Sequence, residues 1–144
     1  RPGERFTTIS EAQAHELLVT DLKQYERAIN AFLQNNHITA NQQQFDALLS
    51  FTYNLGTAWM TSDSDWDDIR NLIVRAPGKN LSNVDKVAFV AACLQRHHCY
   101  GCIPGLLFRR MDEMNIFFEG DYTCHQSRSA NHGYAIPKCI QGKW

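Results

Sequence analysis

Gln44-Phe45-Asp46-Ala47-Leu48-Leu49-Ser50-Phe51-Thr52-Tyr53-Asn54-Leu55-Gly56 is the stretch whose reading decides the fold. Phe45, Leu48, Leu49, Thr52 and Leu55 recur at intervals of three or four, the spacing that gathers side chains on one face of an α-helix. Asn41 stands where its side-chain oxygen can accept from an orphan backbone N–H at the helix start. Gly56 follows the last periodic residue and reads as the C-terminal cap, where a residue without Cβ takes a positive φ at no steric cost. The stretch predicts one well-bounded helix with an apolar inner side.

Working outward, the residues before it give a longer helix. Ser10 and Gln13 form a capping-box pattern, so a helix should begin at Glu11. Ala14, Leu17, Leu18, Leu22, Tyr25, Ile29 and Phe32 then keep one face apolar, which predicts a continuously buried stripe opposite a solvated face of Lys23, Gln24, Glu26 and Arg27. Asn35-Asn36-His37 breaks the pattern. Downstream, Ser64 to Val74 opens on Asp65, Asp67 and Asp68, which suit the positive end of a helix dipole, and Ala76-Pro77-Gly78 closes it. A further helix is expected from about Val84 to Arg96, with Val84, Val87, Ala91 and Leu94 inward. Pro104 starts the last helix and Gly120 ends it. No segment alternates with period two. The expectation is therefore an all-α fold of about five helices: a helical domain over residues 1–120, and a loop-rich extension over 121–144 packed on it.

Bulk properties narrow the function. With 144 residues, 44% of them hydrophobic and 20% charged, the chain suffices for one globular domain with a substantial core. A formal net charge of −1 gives no basic field of the kind that concentrates proteins on nucleic acid or anionic lipid, so no nucleic-acid partner is expected. The longest apolar run, Val87 to Leu94, is far short of a membrane span. Arg1-Pro2-Gly3-Glu4-Arg5-Phe6 holds no apolar h-region, so no cleaved secretory signal is read there; export by another route stays open.

Five cysteines are unevenly placed. Cys93 falls inside an apolar helical pattern, whereas Cys99, Cys102, Cys124 and Cys139 cluster with loop residues. Outside the cytosol those four favour two disulfides, in a connectivity that sequence does not choose. The alternative is zinc, because Cys99 and Cys102 have C-x2-C spacing with His97, His98, His125 and His132 close in sequence. Free thiols are the third reading. No cofactor or catalytic metal is expected.

Three segments in order resemble the phage-type lysozymes, or muramidases. Thr8-Ile9-Ser10-Glu11-Ala12 resembles the entry to the family's long interlobe helix. Gln44 to Gly56 resembles its central helix, whose Asn-x-Gly end lies against the sugar cleft. Gly105-Leu106, Arg109-Arg110 and Glu113 resemble its Gly-Leu-x-x-Arg-Arg-x-x-Glu helix. The resemblance runs from about Gly3 to Gly120 and implies the family's helical lobe. It implies cleavage of the peptidoglycan glycan strand between N-acetylmuramic acid and N-acetylglucosamine, by a protein working in the bacterial envelope after lysis or secretion, as an endolysin or an antibacterial toxin. It also implies peptidoglycan as partner, with an immunity protein if the chain is a toxin; a monomer is expected.

The family's general acid lies on a helix and hairpin that precede the position matching Arg1, so no catalytic acid is carried over. Three explanations follow: a fragment of a larger enzyme, a lobe kept for binding alone, or recruitment of Glu4 or Glu113 as the acid. Glu4 flanks a Pro-Gly turn and reads as an ordinary exposed residue. Glu113 stands four residues after Arg109 and reads as its ion-pair partner.

Among substrate-binding candidates, Asn54 leads. An amide at a helix end can both donate to and accept from an N-acetyl group, although a capping role is equally open. Tyr53 can stack on a sugar face or join the core, and Gly56 lets the chain turn beside them. Arg109 and Arg110 can hold a carboxylate through paired hydrogen bonds or form a solvated basic face. Trp59, Trp66 and Trp144 are possible sugar platforms, with buried packing the default. The tail beyond Gly120 is expected to fold over Cys99-Tyr100-Gly101-Cys102, where a disulfide would suit an oxidising envelope.

Overall fold

The computed structural model of the chain describes residues 8–61, 67–98 and 104–123. Within them lie five α-helices: α1 (Glu11–Asn35), α2 (Gln42–Leu55), α3 (Asp67–Val74), α4 (Lys86–Leu94) and α5 (Pro104–Glu119). Short 3₁₀ turns at Ala58–Met60, Pro77–Lys79, Leu81–Asn83 and Gln95–His98 join them. The described residues contain no β-sheet, only an isolated parallel bridge between Thr39 and Asn80. The fold is all-α.

Local chemistry sets the helix ends. Ser10 Oγ accepts from Gln13 N at 3.1 Å while Ser10 N donates to Gln13 Oε1 at 2.9 Å, so each satisfies an orphan donor of the other. The start of α2 repeats this device, with Gln44 N donating to Asn41 Oδ1 at 2.8 Å and Asn41 N to Gln44 Oε1 at 2.9 Å. Its end is closed by Gly56 at φ 86°, ψ −177°, a combination open essentially to glycine alone.

α2 runs through the middle, packed most extensively on α5 and next on α1. Ala47, Leu48 and Phe51 are buried from it, meeting Ile29, Phe32 and Leu33 of α1 and Met114 and Phe117 of α5 in one apolar cluster, and the polar Thr52 is buried beside them. Trp59, just beyond α2, is completely buried. Its ring meets Phe32 and Phe51 edge-on, with centroids 5.1 and 6.3 Å away, and its Nε1 donates to Thr52 Oγ1 at 3.0 Å. Thr52 passes the chain on to Leu48 O at 2.6 Å, so the polar atoms taken inward with these side chains are paired.

Two sequence expectations require correction. The apolar stripe of α1 is not continuously buried: Ala14 and Leu18 are exposed, Leu17 and Leu22 are half-buried, and full burial starts only at Ile29. A 25-residue helix is about 37 Å long, and its first half runs past the helices packed on its second. The second correction concerns α4, which starts at Lys86 behind an Asp85 cap and turns Phe89, Val90, Ala92 and Cys93 fully inward; Val87, Ala91 and Leu94 are only partly buried. Its run is apolar on every side, so spacing alone does not select a face. Val84 is buried, as read, but as the residue closing the preceding 3₁₀ turn.

Just beyond α5, the exposed Tyr122 OH donates to Asp46 Oδ2 of α2 at 2.6 Å. Residues 124–144, and with them the rest of the extension, lie outside the described residues.

Candidate functional site

The last turn of α2 and the middle of α5 meet in a cluster of charged and polar side chains. Ser50 and Asn54 stand one helical turn apart and so share a side of α2. Arg109, Arg110 and Glu113 face them from α5. Arg110 is completely buried, and Glu113 almost so at 1% exposure. Around Glu113 Oε1 converge the Ser50 hydroxyl at 2.7 Å, Arg110 Nη2 at 2.9 Å and Arg109 Nε at 3.1 Å. Arg110 Nε lies 2.8 Å from Oε2, an ion pair without good hydrogen-bond alignment. Arg109 Nη2 reaches across to Ser50 O at 3.1 Å and Ser50 Oγ at 3.3 Å. Arg110 Nη2 also donates to Asn54 Oδ1 at 2.9 Å, and the Arg110 guanidinium carbon sits 5.1 Å from the centre of the Phe51 ring, within cation–π range.

Burial and charge oppose each other here. Removal from water pushes the Glu113 carboxyl above the ordinary glutamate range, while Arg110, Ser50 and Arg109 pull it back. Burial likewise lowers the Arg110 guanidinium, offset chiefly by Glu113. The Cys93 thiol is pushed well above its ordinary value, first by burial and then by Glu113. Cys93 is accordingly an unreactive packing residue.

Tyr53 and Asn54 are both exposed, beside this buried cluster. Tyr53 meets Tyr25 of α1 edge-on, the ring centroids 5.7 Å apart. Of the residues singled out from sequence, the fold thus gathers Asn54, Arg109 and Arg110 into one hydrogen-bonded group, with Tyr53 and Gly56 adjoining Asn54 in the chain. Arg110 is no solvated basic residue, whereas the Arg109 side chain keeps 30% of its surface exposed. Trp59 belongs to the core; Trp66, Trp144 and Glu4 lie outside the described residues. Ser50 and Tyr25 adjoin this group although the sequence does not single them out as site residues. Ser50 is detectable in principle from its position four before Asn54; the spacing of Tyr25 marks it only as a member of an apolar stripe.

Cys99, Cys102, Cys124 and Cys139 also lie outside the described residues, as do His125 and His132. The described residues hold no group of three His, Cys, Asp or Glu side chains able to bind a metal. No described helix is long and apolar enough to cross a membrane. A separate groove of about 810 Å³ runs between α3 and α4, past Asn71, Arg75, Asp85 and Gln95, and shares no residue with the Asn54 cluster.

A central α2 closed by Asn54-x-Gly56 and clamped by the two arginines of α5 is the arrangement expected of a lysozyme-like helical lobe. The family model described as phage lysozyme matches residues 2–113, most of the chain. The chain belongs to the phage lysozyme family, a family of muramidase-type peptidoglycan hydrolases. No curated protein and no solved structure matches it.

Proposed function

We propose that the surface at the end of α2 binds the glycan strand of peptidoglycan, as part of a muramidase that cleaves between N-acetylmuramic acid and N-acetylglucosamine. The observation that carries this is the 2.9 Å hydrogen bond from Arg110 to Asn54, which joins two motif segments 56 residues apart at one exposed edge. In this reading Asn54 donates its amide hydrogens to an acetamido carbonyl. Tyr53, braced by Tyr25, offers an apolar face to a sugar ring. Arg109, the more exposed arginine, attracts a carboxylate of muramic acid or of the peptide stem, and Gly56 allows the tight turn beside them. The protein acts in the bacterial envelope, delivered by lysis or by secretion; an immunity partner accompanies the second route.

Glycosidic cleavage needs a carboxylic acid beside the leaving oxygen. Glu113 is poorly placed for that role. It is buried, and Ser50, Arg109 and Arg110 crowd its carboxylate with donors. That same commitment favours a second reading, a non-catalytic peptidoglycan-binding module. The two separate in an assay of reducing-end release from purified peptidoglycan, with muropeptides identified by mass, on this chain and on its reading frame extended upstream. New reducing ends at N-acetylmuramic acid from either form are expected; saturable binding without them from both supports the binding module, and neither binding nor cleavage overturns the reading.

A further inference from the structure

The Asn54 amide has a defined direction. A guanidinium has donors only, so the atom facing Arg110 is the amide oxygen, and the Nδ2 amino group is the one left over on this exposed side chain. Arg110 is held in turn by Glu113, through Nη2 to Oε1 at 2.9 Å and Nε to Oε2 at 2.8 Å. Glu113 is tied back to α2 by the Ser50 hydroxyl at 2.7 Å. One buried carboxylate therefore connects two successive turns of α2 to α5. Without it Arg110 becomes a buried cation lacking its counter-ion, and its most accessible relief is to turn toward water, away from its present contact with Asn54.

We propose that Glu113 is a positioning residue for glycan recognition: through Arg110 it fixes the Asn54 amide with its NH₂ group outward. The cleft then presents a hydrogen-bond donor at this point and selects acceptors, the acetamido carbonyl oxygen of an N-acetylated sugar first among them. A freely rotating asparagine would offer either its oxygen or its nitrogen and would lose rotamer entropy on binding; the anchored one is pre-set. The substrate class rests on the function proposed above, whereas the anchoring of Asn54 does not.

The test uses the full chain labelled with ¹⁵N and, as probe, an N-acetylated tetrasaccharide released from peptidoglycan. The side-chain NH₂ signal of Asn54, identified by its loss in Asn54→Asp, is expected to be rigid in the native protein and to shift on titration. Glu113→Gln is expected to make that signal mobile and to weaken probe binding roughly tenfold, and Glu113→Asp, which keeps the charge, to restore part of both. A rigid Asn54 signal with affinity within about twofold of native in a folded Glu113→Gln overturns the proposal. Asn54→Asp supplies an independent arm at an exposed position: it keeps an acceptor for Arg110 but removes the outward donor. Its melting temperature is expected to match or exceed the native value while probe binding falls roughly tenfold. Undiminished binding by that variant overturns the donor assignment. Failure of the native chain to bind the probe sinks the glycan reading, yet the mobility of Asn54 in Glu113→Gln still decides whether Glu113 positions it.

Discussion

Two sides of α2 both pack against neighbouring elements and are held in opposite ways. Toward Trp59 lie Leu48, Phe51 and Thr52, in a cluster whose stability comes from apolar area, with a single hydrogen-bond chain threading it. Toward α5 lie Ser50 and Asn54, joined to Arg109, Arg110 and Glu113 by charge-assisted bonds. Apolar contacts are many, individually weak and tolerant of substitution at constant volume. An ion cluster is few-bodied: once one charge is removed, its partner is left desolvated and unpaired. The difference teaches that burial alone does not tell what a substitution does.

The largest effects test this contrast directly. Trp59→Ala and Glu113→Ala are each expected to cost about 3–5 kcal/mol in urea unfolding, the first by opening a cavity and the second by leaving Arg110, Arg109 and the Ser50 hydroxyl without the carboxyl oxygen that accepts from them. The contrast sharpens with Arg110→Met combined with Glu113→Leu, which removes the charge pair together. That double variant is expected to regain most of the stability lost by Glu113→Ala while losing glycan binding. A double variant as unstable as the single one breaks the comparison.

Next in size is Gly56→Ala, at the junction of the two sides. Nothing obstructs an added Cβ there, but the backbone is in the region reserved for glycine, so a loss of about 1–3 kcal/mol is expected from strain alone. Gly120→Ala is the useful control. It too sits at positive φ, and its Cβ would also fall 2.7 Å from the Gln43 side-chain oxygen. Thermal melts of the pair separate strain from crowding, with Gly120→Ala the worse of the two if Gln43 does not move aside.

Acidification separates stability from binding. The folded-state pKa of Glu113 is raised, so the stabilisation linked to this group is full below the ordinary glutamate pKa and is lost as pH rises through the folded value. Its ionised form is nevertheless the one that accepts from Ser50 of α2 and from Arg109 and Arg110 of α5, with Cys93 of α4 also sensing its charge. Lowering the pH through the raised pKa is therefore expected to weaken glycan binding without any loss of melting temperature from Glu113. Binding titrations and melts at matched pH check this, and a melting temperature that falls together with affinity only in the native chain, and not in Glu113→Gln, contradicts it. The smallest effect belongs to Leu18→Ser on the exposed half of α1, expected within about 0.5 kcal/mol of native.

Much of this was legible in the sequence wherever the cause was local. Ser10 with Gln13, Asn41, Gly56, Pro104 and Gly120 set helix ends through chemistry spanning a few residues, and each stands where its type predicts. The pairing of Arg109 with Glu113 followed from their separation of four. What the sequence withheld depends on distant partners. Leu18 has the spacing of a buried residue, but spacing names a face and not the presence of a neighbour to cover it. The contact of Ser50 with Glu113 spans 63 residues, and the complete burial of Arg110 beside an exposed Asn54 exists only once α2 and α5 are packed.

The extended first half of α1 has a mechanical meaning. A helix held by the described helices from Tyr25 onward, with its earlier turns largely uncovered by any described residue, is a cantilever within that frame. Glu11 lies about 21 Å beyond the Tyr25–Tyr53 contact, so a tilt of about 5° there carries the tip about 2 Å. Small adjustments where the two tyrosines touch are thereby magnified into displacements about as large as a carbon–carbon bond at the far end, and the converse holds: a load on the tip acts with long leverage on the ring beside Asn54.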